Sequence, residues 1–205
     1  MGLYRDRILP RFMDRGMDRP SMREPRARAC AGLHGDVVEV GFGTGLNAAF
    51  YPPEVVKVFA VEPSAACLRL AAPRIARSAT RIEVAGRDGQ HLDLPSDAFD
   101  SALSTWTLCT IPDVDAALAE LHRVLKRGGS FHFIEHGHAP DPKVERWQAR
   151  LEPLNKRLAG GCHLTRDIPK VISAAGFAIE HLNTYYFKGE PKAFGSTYEG
   201  RAVKA

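Results

Sequence analysis

Stretches typical of β-strands alternate with stretches typical of helices along this chain, and this alternation most constrains its fold. Five short runs rich in β-branched or aromatic residues end in turn residues, and amphipathic stretches lie between several of them. Such alternation indicates a mostly parallel sheet with helices on its faces. The predicted strands are 37–40, 55–61, 81–85, a fourth that opens with 99–103 and ends at 104–106, and 130–135. The predicted helices are 64–75, 114–126 and 167–175, with Ser64 and Asp167 as N-caps.

The pattern changes after Gly176. Residues 177–187 and 197–204 both read as strands, with a turn-rich connection and no helix between them. Two successive strands joined in this way pair antiparallel, so we expect a hairpin at one edge of the sheet. The fold class is therefore α/β, with five parallel strands and a C-terminal antiparallel hairpin in a seven-stranded sheet.

A glycine-rich loop follows the first predicted strand. Gly41, Gly43 and Gly45 alternate with other residues, and a helix is expected to begin near residues 46–47. A dinucleotide-binding loop would place its third glycine at position 46, where this chain has Leu46. Glu39, two residues before the first glycine, would repel a pyrophosphate. The pattern therefore favours a nucleoside that carries a cationic amino-acid tail over NAD.

Other candidate ligand-binding residues follow the later strands. Glu62 lies 19 residues beyond Gly43, where an acid accepts both hydroxyls of a ribose in nucleoside-binding α/β folds. Asp88, followed by Gly89, is placed to accept the exocyclic amine of adenine. Thr105 ends the fourth strand, where the floor of a cleft is expected. All these positions lie at the carboxyl ends of parallel strands, where open sheets bind ligands.

Together these residues resemble the class I, Rossmann-like S-adenosylmethionine-dependent methyltransferases, from about residue 36 to the C-terminus. Within that class the chain resembles the methyltransferase type 11 and quinone-biosynthesis-like group, and residues 136–167 resemble thiol methyltransferases. Arg127 departs from the family, which usually has Pro there. The matching motifs are Glu39-x-Gly41-x-Gly43-x-Gly45, Glu62-Pro63-Ser64, Gly86-Arg87-Asp88-Gly89, Leu94-Pro95, Phe99-Asp100 and His122-Arg123-Val124-Leu125-Lys126-Arg127-Gly128-Gly129.

The resemblance implies a three-layer sandwich, S-adenosylmethionine as cofactor and S-adenosylhomocysteine as product. It places the three glycines beside the methionine and ribose of the cofactor, Glu39 on the ammonium side, Glu62 at the ribose and Asp88 by adenine. The implied activity is methyl transfer to a small-molecule or lipid-like acceptor by in-line displacement. The predicted cofactor-binding residues are Glu39, Gly41, Gly43, Gly45, Glu62, Pro63, Asp88, Gly89 and Thr105.

Methyl transfer from a sulfonium needs few catalytic groups. The leaving group is neutral, and alignment of nucleophile and methyl supplies most of the acceleration. His136, at the end of the fifth strand, and His163, in a glycine-rich loop, are the candidate catalytic bases. His132, His136 and His138 share strand parity, but no carboxylate or thiol at helical spacing completes a ligand set, so no metal site is predicted.

Two other functions stay open from sequence. The lack of an obvious base is also typical of a regulatory or assembly protein that binds S-adenosylmethionine without catalysis. An Arg-rich N-terminus is compatible with nucleic-acid binding, but interleaved acids dilute its field, so no nucleic-acid partner is expected.

The net charge of +4 lies entirely in residues 1–28, which hold eight Arg and four acids. Leu3, Tyr4, Ile8, Phe12, Met13 and Met17 form a rough apolar stripe there, with a kink expected at Pro10. We expect residues 1–35 to form a helical cap whose arginines face water. Transient contact of this segment with a membrane surface stays an open alternative. Residues 36–205 form the cofactor-binding domain, with a substrate-side insertion at 137–169.

The chain has four cysteines without a CxxC pair, no long apolar run and no secretory signal pattern. These features predict a cytoplasmic protein with reduced thiols. The oligomeric state is not predicted.

Overall fold

A computed structural model describes residues 8–205 and shows one seven-stranded sheet. The strand order is β3-β2-β1-β4-β5-β7-β6, in which the first five strands run parallel and β7 pairs antiparallel with both β5 and β6. The predicted fold class is confirmed. The strands are β1 (Gly35–Val40), β2 (Val55–Val61), β3 (Arg81–Gly86), β4 (Phe99–Thr105), β5 (Leu125–His136), β6 (Phe177–Tyr186) and β7 (Ser196–Lys204).

Helices cover both faces of the sheet, which makes the three layers. Leu118 and Leu121 of α4 and Ile172 of α6 pack in one apolar cluster with the sheet. Met22 and Ala29 of α2 belong to a second cluster that contacts other strand residues. The helices are α1 (Leu9–Met17), α2 (Pro20–Cys30), α3 (Ala65–Arg77), α4 (Val114–Val124), α5 (Pro142–Leu158), α6 (Ile168–Ala174) and α7 (Lys192–Gly195), and a 3-10 helix spans Leu46–Ala49.

The two predicted helix caps are confirmed. The Ser64 side chain accepts a hydrogen bond from the backbone N–H of Cys67 at 3.2 Å, and Asp167 accepts one from Lys170 at 3.2 Å. Two other expectations were wrong. The helix predicted after the glycine loop is one short 3-10 turn, and the hairpin connection contains the four-residue helix α7.

The N-terminal segment also differs from its prediction. Pro10 lies in the first turn of α1, where a missing N–H costs nothing, and the part of the chain before the kink expected there lies outside residues 8–205. Arg26 is buried, so the expectation that all arginines face water was wrong. Leu3 and Tyr4 of the predicted stripe lie outside the described residues. Within residues 8–205, no helix combines the length and the apolar character needed to cross a membrane.

Candidate active site and cofactor cleft

A cleft of about 620 Å³ opens at the carboxyl ends of β1, β2 and β4. Its volume is in the range of small-molecule sites. Residues of α1, the glycine loop and the loops after β2, β3 and β4 line it. Of the residues predicted to bind the cofactor, the cleft brings together Gly41, Gly43, Glu62, Pro63, Asp88, Gly89 and Thr105.

Gly41 and Gly43 of the glycine loop both have the left-handed backbone conformation that favours glycine. Gly41 has φ +75°, and a Cβ there would lie 2.0 Å from the Thr107 Oγ1. Gly43 has φ +59°, and a Cβ there would lie 3.7 Å from its nearest neighbour, the Gly41 carbonyl oxygen. Backbone without side chains thus lines the cleft, which lets a ligand approach closely. Gly45 lies outside the cleft lining and has φ +75° at the start of the 3-10 helix.

Glu62 is buried and held by the backbone. Its Oε2 accepts from the Gly43 N–H at 2.8 Å, and its Oε1 accepts from the Ser64 N–H at 2.8 Å. Burial raises the pKa of this carboxyl, while the two N–H groups oppose the rise. The carboxylate is therefore fixed in orientation, and each oxygen keeps acceptor capacity for a further hydroxyl.

Asp88 is exposed at the rim of the cleft. Its Oδ1 accepts from the Gln90 side chain at 3.0 Å and from the Gln90 backbone N–H at 2.9 Å. These hydrogen bonds lower the pKa of Asp88, the side-chain one having the larger effect. The next residue, Gly89, packs so closely that a Cβ would lie 2.6 Å from Val40 Cγ1.

Glu39 lies behind the cleft and does not line it. Its Oε1 accepts from Asn47 Nδ2 at 2.9 Å, and its other oxygen accepts from the Tyr51 hydroxyl. The same Asn47 amide donates to Thr105 Oγ1 at 2.9 Å. Burial raises the pKa of Glu39 to about 7. Its position is that of a buried support for the cleft floor, because Asn47 and Thr105 connect it to the cleft.

Arg26 of α2 completes this buried network. Its Nη1 donates to Asn47 Oδ1 at 2.7 Å, and its guanidinium lies 4.8 Å from the centre of the Trp106 ring. Burial lowers the pKa of Arg26 to about 10. Its Nε is buried without a hydrogen-bond partner, and Arg26 also lines the cleft. A buried cationic donor at this position can receive an anionic group.

Trp106 has an unusual backbone conformation directly after β4. Its φ is +51°, although it is not a glycine, and its N–H donates to the Ile134 carbonyl at 2.7 Å. Bulky residues rarely adopt this conformation, and those that do cluster at functional sites. The ring lines the cleft and its Nε1 has no hydrogen-bond partner.

The two candidate catalytic histidines are not among the described residues that line the cleft. The His136 ring lies 6.5 Å from the Trp106 ring, centre to centre. His163 Nδ1 lies 3.5 Å from Glu152 Oε1, and burial lowers the pKa of His163. A catalytic role for either histidine stays a prediction.

Several residues of the site carry no signal in the sequence. Arg26 was predicted to face water, and no sequence signal marks it as buried. Cys109 and Cys162 are far apart in the chain but contact each other beside His136. The hydrogen bond from Cys109 and the nearby His136 lower the pKa of Cys162.

Comparison with known proteins identifies the class. Residues 38–133 match a family described as a methyltransferase domain. The thiol S-methyltransferase TMT1B of Rattus norvegicus is 35% identical over 185 residues, which cover 82% of this chain and 70% of the relative. The chain belongs to the class I S-adenosylmethionine-dependent methyltransferases. The resemblance, enzyme class and cofactor predicted from the sequence are confirmed, and nothing in these matches supports a non-catalytic protein.

Other relatives extend this match. The human thiol S-methyltransferase TMT1A is 33% identical over 154 residues, covering 71% of this chain and 62% of that protein. The demethylmenaquinone methyltransferase of Thermobifida fusca is 30% identical and covers 75% of this chain and 61% of its own length. The chain thus spans less than two thirds of both of these relatives.

Solved structures share the fold at lower identity. A Thermotoga maritima S-adenosylmethionine-dependent methyltransferase aligns with TM-score 0.67 and 23% identity over 98% of this chain and 99% of its own. The [4+2]-cyclase SpnF aligns with TM-score 0.68 and 18% identity over 95% of this chain and 80% of its own. The cyclase shows that this fold does not by itself define the reaction.

Proposed function

We propose that this protein transfers the methyl group of S-adenosylmethionine to the thiol of a small, apolar or lipid-like acceptor. The observation that carries the proposal is the mixed lining of the cleft, which combines carboxylates with apolar side chains. Glu62 and Asp88 supply the carboxylates, while Leu9 and Met13 of α1 and Ile111 supply apolar surface. The thiol S-methyltransferase relatives support a sulfur acceptor.

The described residues fit the cofactor. The fixed carboxylate of Glu62 would accept the ribose hydroxyls, and Asp88 would accept the adenine amine. The unpaired Nε of Arg26 would donate to the carboxylate of the amino-acid tail. Bound there, S-adenosylmethionine supplies an electrophilic methyl group. Glu39 would act on the ammonium of the tail only indirectly, because its carboxylate is connected to the cleft through hydrogen bonds of Asn47 with Glu39 and Thr105.

A thiol acceptor suits a site in which the candidate bases lie behind the cleft wall. An ordinary thiol has a pKa of about 8.5, so a few per cent is thiolate at pH 7. The bound cofactor would supply its methyl carbon to the acceptor sulfur, and the carbon's bond to the sulfonium sulfur would break as the new bond forms. The thiol proton passes to solvent, and the protein's task is alignment and exclusion of water.

We further propose that residues 1–35 form a cap over the acceptor side and that 137–169 form a substrate-side insertion. Contacts of α1 with the cleft support the first, and the cleft-lining Ala159 and Gly160 support the second. The four unpaired cysteines support a cytoplasmic location.

The test is an acceptor screen with purified protein, reading release of S-adenosylhomocysteine. The panel pairs alkyl thiols with alcohols and amines of the same chain length, and adds a hydroquinone and phosphatidylethanolamine in micelles. We expect the thiols to react and the matched alcohols to stay unmethylated. Methylation of the hydroquinone or an amine in preference to every thiol would refute the thiol proposal. Calorimetry with S-adenosylhomocysteine checks cofactor binding independently.

A further inference from the structure

Three metal-ligating side chains converge beside the cleft. Cys109 follows β4, His136 ends β5, and Cys162 follows α5. Their sulfur and ring nitrogen atoms all lie within 4.8 Å of one another. Both cysteines are buried and the histidine is half-buried. None of the three is among the predicted cofactor-binding residues, and the alignment chemistry proposed above passes the thiol proton to solvent and not to His136.

The backbone around this cluster is fixed independently of any ligand. The His163 N–H donates to the Cys109 carbonyl at 2.7 Å, which ties the two cysteine-bearing loops together. Asn155 Nδ2 donates to the Cys162 carbonyl at 2.9 Å. Hydrogen bonds between protein groups therefore hold the two cysteine-bearing loops together without an ion.

Glu135 supports the cluster from behind. Its buried carboxylate accepts from Ser104 Oγ at 2.7 Å, from the Thr107 N–H at 3.0 Å and from the Cys109 N–H at 3.3 Å. With these partners it orients the loop that carries Cys109. Hydrogen bonds of this kind, one shell out from the ligands, hold metal-binding side chains in position.

We propose that Cys109, His136 and Cys162 bind one Zn²⁺ ion and leave its fourth position to water or another small ligand. Two thiolates and one imidazole form a donor set that zinc prefers. At zinc bond lengths of about 2.0–2.3 Å, neighbouring ligand atoms in a tetrahedron lie roughly 3.5 Å apart, so small side-chain rotations close the observed cluster around an ion.

Zinc here would fix one wall of the cleft. Thr110, next to Cys109, and Gly160, two residues before Cys162, both line the cleft. The ion would join the loop after β4, the end of β5 and the loop after α5 at one point. It would thereby restrict movement of these segments away from the cleft. A ligand at the fourth position of the ion would be a separate contact.

Zinc binding by the full chain tests this proposal. The protein is purified with reductant, stripped with a chelator, reloaded with Zn²⁺ and separated from free metal. We expect one zinc per chain in the wild type and at least a tenfold loss of affinity in Cys109→Ser and Cys162→Ser. Cys67→Ser is the matched control, since Cys67 lies on α3 outside the cluster, and it should retain the metal.

Two measurements on the wild type test the proposal even if the cysteine variants do not fold. Co²⁺ should give thiolate charge-transfer bands and the visible bands of a tetrahedral ion, and saturating Zn²⁺ should raise the unfolding temperature. The proposal would be overturned if the wild type retained no zinc, or if both cysteine variants retained as much zinc as the wild type. Cobalt spectra without thiolate bands would also overturn it. So would a Cys109–Cys162 disulfide, found by mass spectrometry in protein that binds no zinc.

Discussion

Glu62→Ala is the sharpest test of the cofactor site. The native carboxylate uses one lone pair on each oxygen for the Gly43 and Ser64 N–H groups. The remaining capacity is what the ribose hydroxyls would use. Alanine removes both acceptors and leaves the two N–H groups to water, so the variant loses the ribose contacts and part of the loop's order.

The expected loss follows from the bonds removed. Hydrogen bonds to a charged group contribute about 1.5–3 kcal/mol each, and water replaces part of this when the side chain is deleted. We expect Glu62→Ala to weaken binding of S-adenosylhomocysteine by about 1–3 kcal/mol, which is about 5- to 150-fold in Kd.

Calorimetry with two ligands makes this result specific. S-adenosylhomocysteine is compared with its 2′-deoxy analogue in the wild type and in Glu62→Ala. The analogue should bind the wild type more weakly, and the difference should shrink in the variant. Glu83→Ala is the control, because that exposed carboxylate on β3 pairs with Lys57 outside the cleft. An undiminished difference in Glu62→Ala would show that Glu62 does not hold the ribose.

Three further predictions concern the buried carboxylate, the glycine loop and α1. The pKa of Glu39 rises from 4.5 to about 7 on folding, so the folded protein binds this proton more tightly than the unfolded chain does. The resulting contribution to the free energy of unfolding is complete below pH 4.5 and is lost as the pH rises through about 7. In urea unfolding, wild-type stability should fall by about 3 kcal/mol relative to Glu39→Gln across that window; parallel curves would contradict this. Gly41→Ala should lower the free energy of unfolding by at least ~2 kcal/mol, because its Cβ meets Thr107, whereas Gly16→Ala, with open space, should not. Deleting residues 1–18 should raise the KM for the acceptor and leave the Kd for S-adenosylhomocysteine nearly unchanged; equal changes in both would place α1 in the cofactor site.

The sheet was predictable because its signals are local. β-branched runs, turn residues and the caps at Ser64 and Asp167 each act within a few residues, and all of them point to the same fold. The 3-10 turn after Gly45 was not predictable in this way. Asn47 is drawn into hydrogen bonds with Glu39 and Arg26, and these tertiary contacts override the local helix preference.

The site was predictable only where spacing along the chain implies position. Glu62 and Asp88 follow strands, so the sheet brings them to one edge. Arg26 carries no comparable signal, since its burial depends on how α2 packs over Trp106. The cluster of Cys109, His136 and Cys162 depends on the path of two loops, which residue spacing does not encode.

The position of β7 between β5 and β6 has a consequence for the order of folding. During synthesis β6 leaves the ribosome before the strand that joins it to the sheet. Until β7 follows, β5 presents an unpaired edge and β6 has no neighbour among the described strands. The parallel half of the sheet can form earlier from strands already made. Late insertion of one strand then closes the fold, and slowing it would lengthen the time in which the nascent protein is open to misassembly.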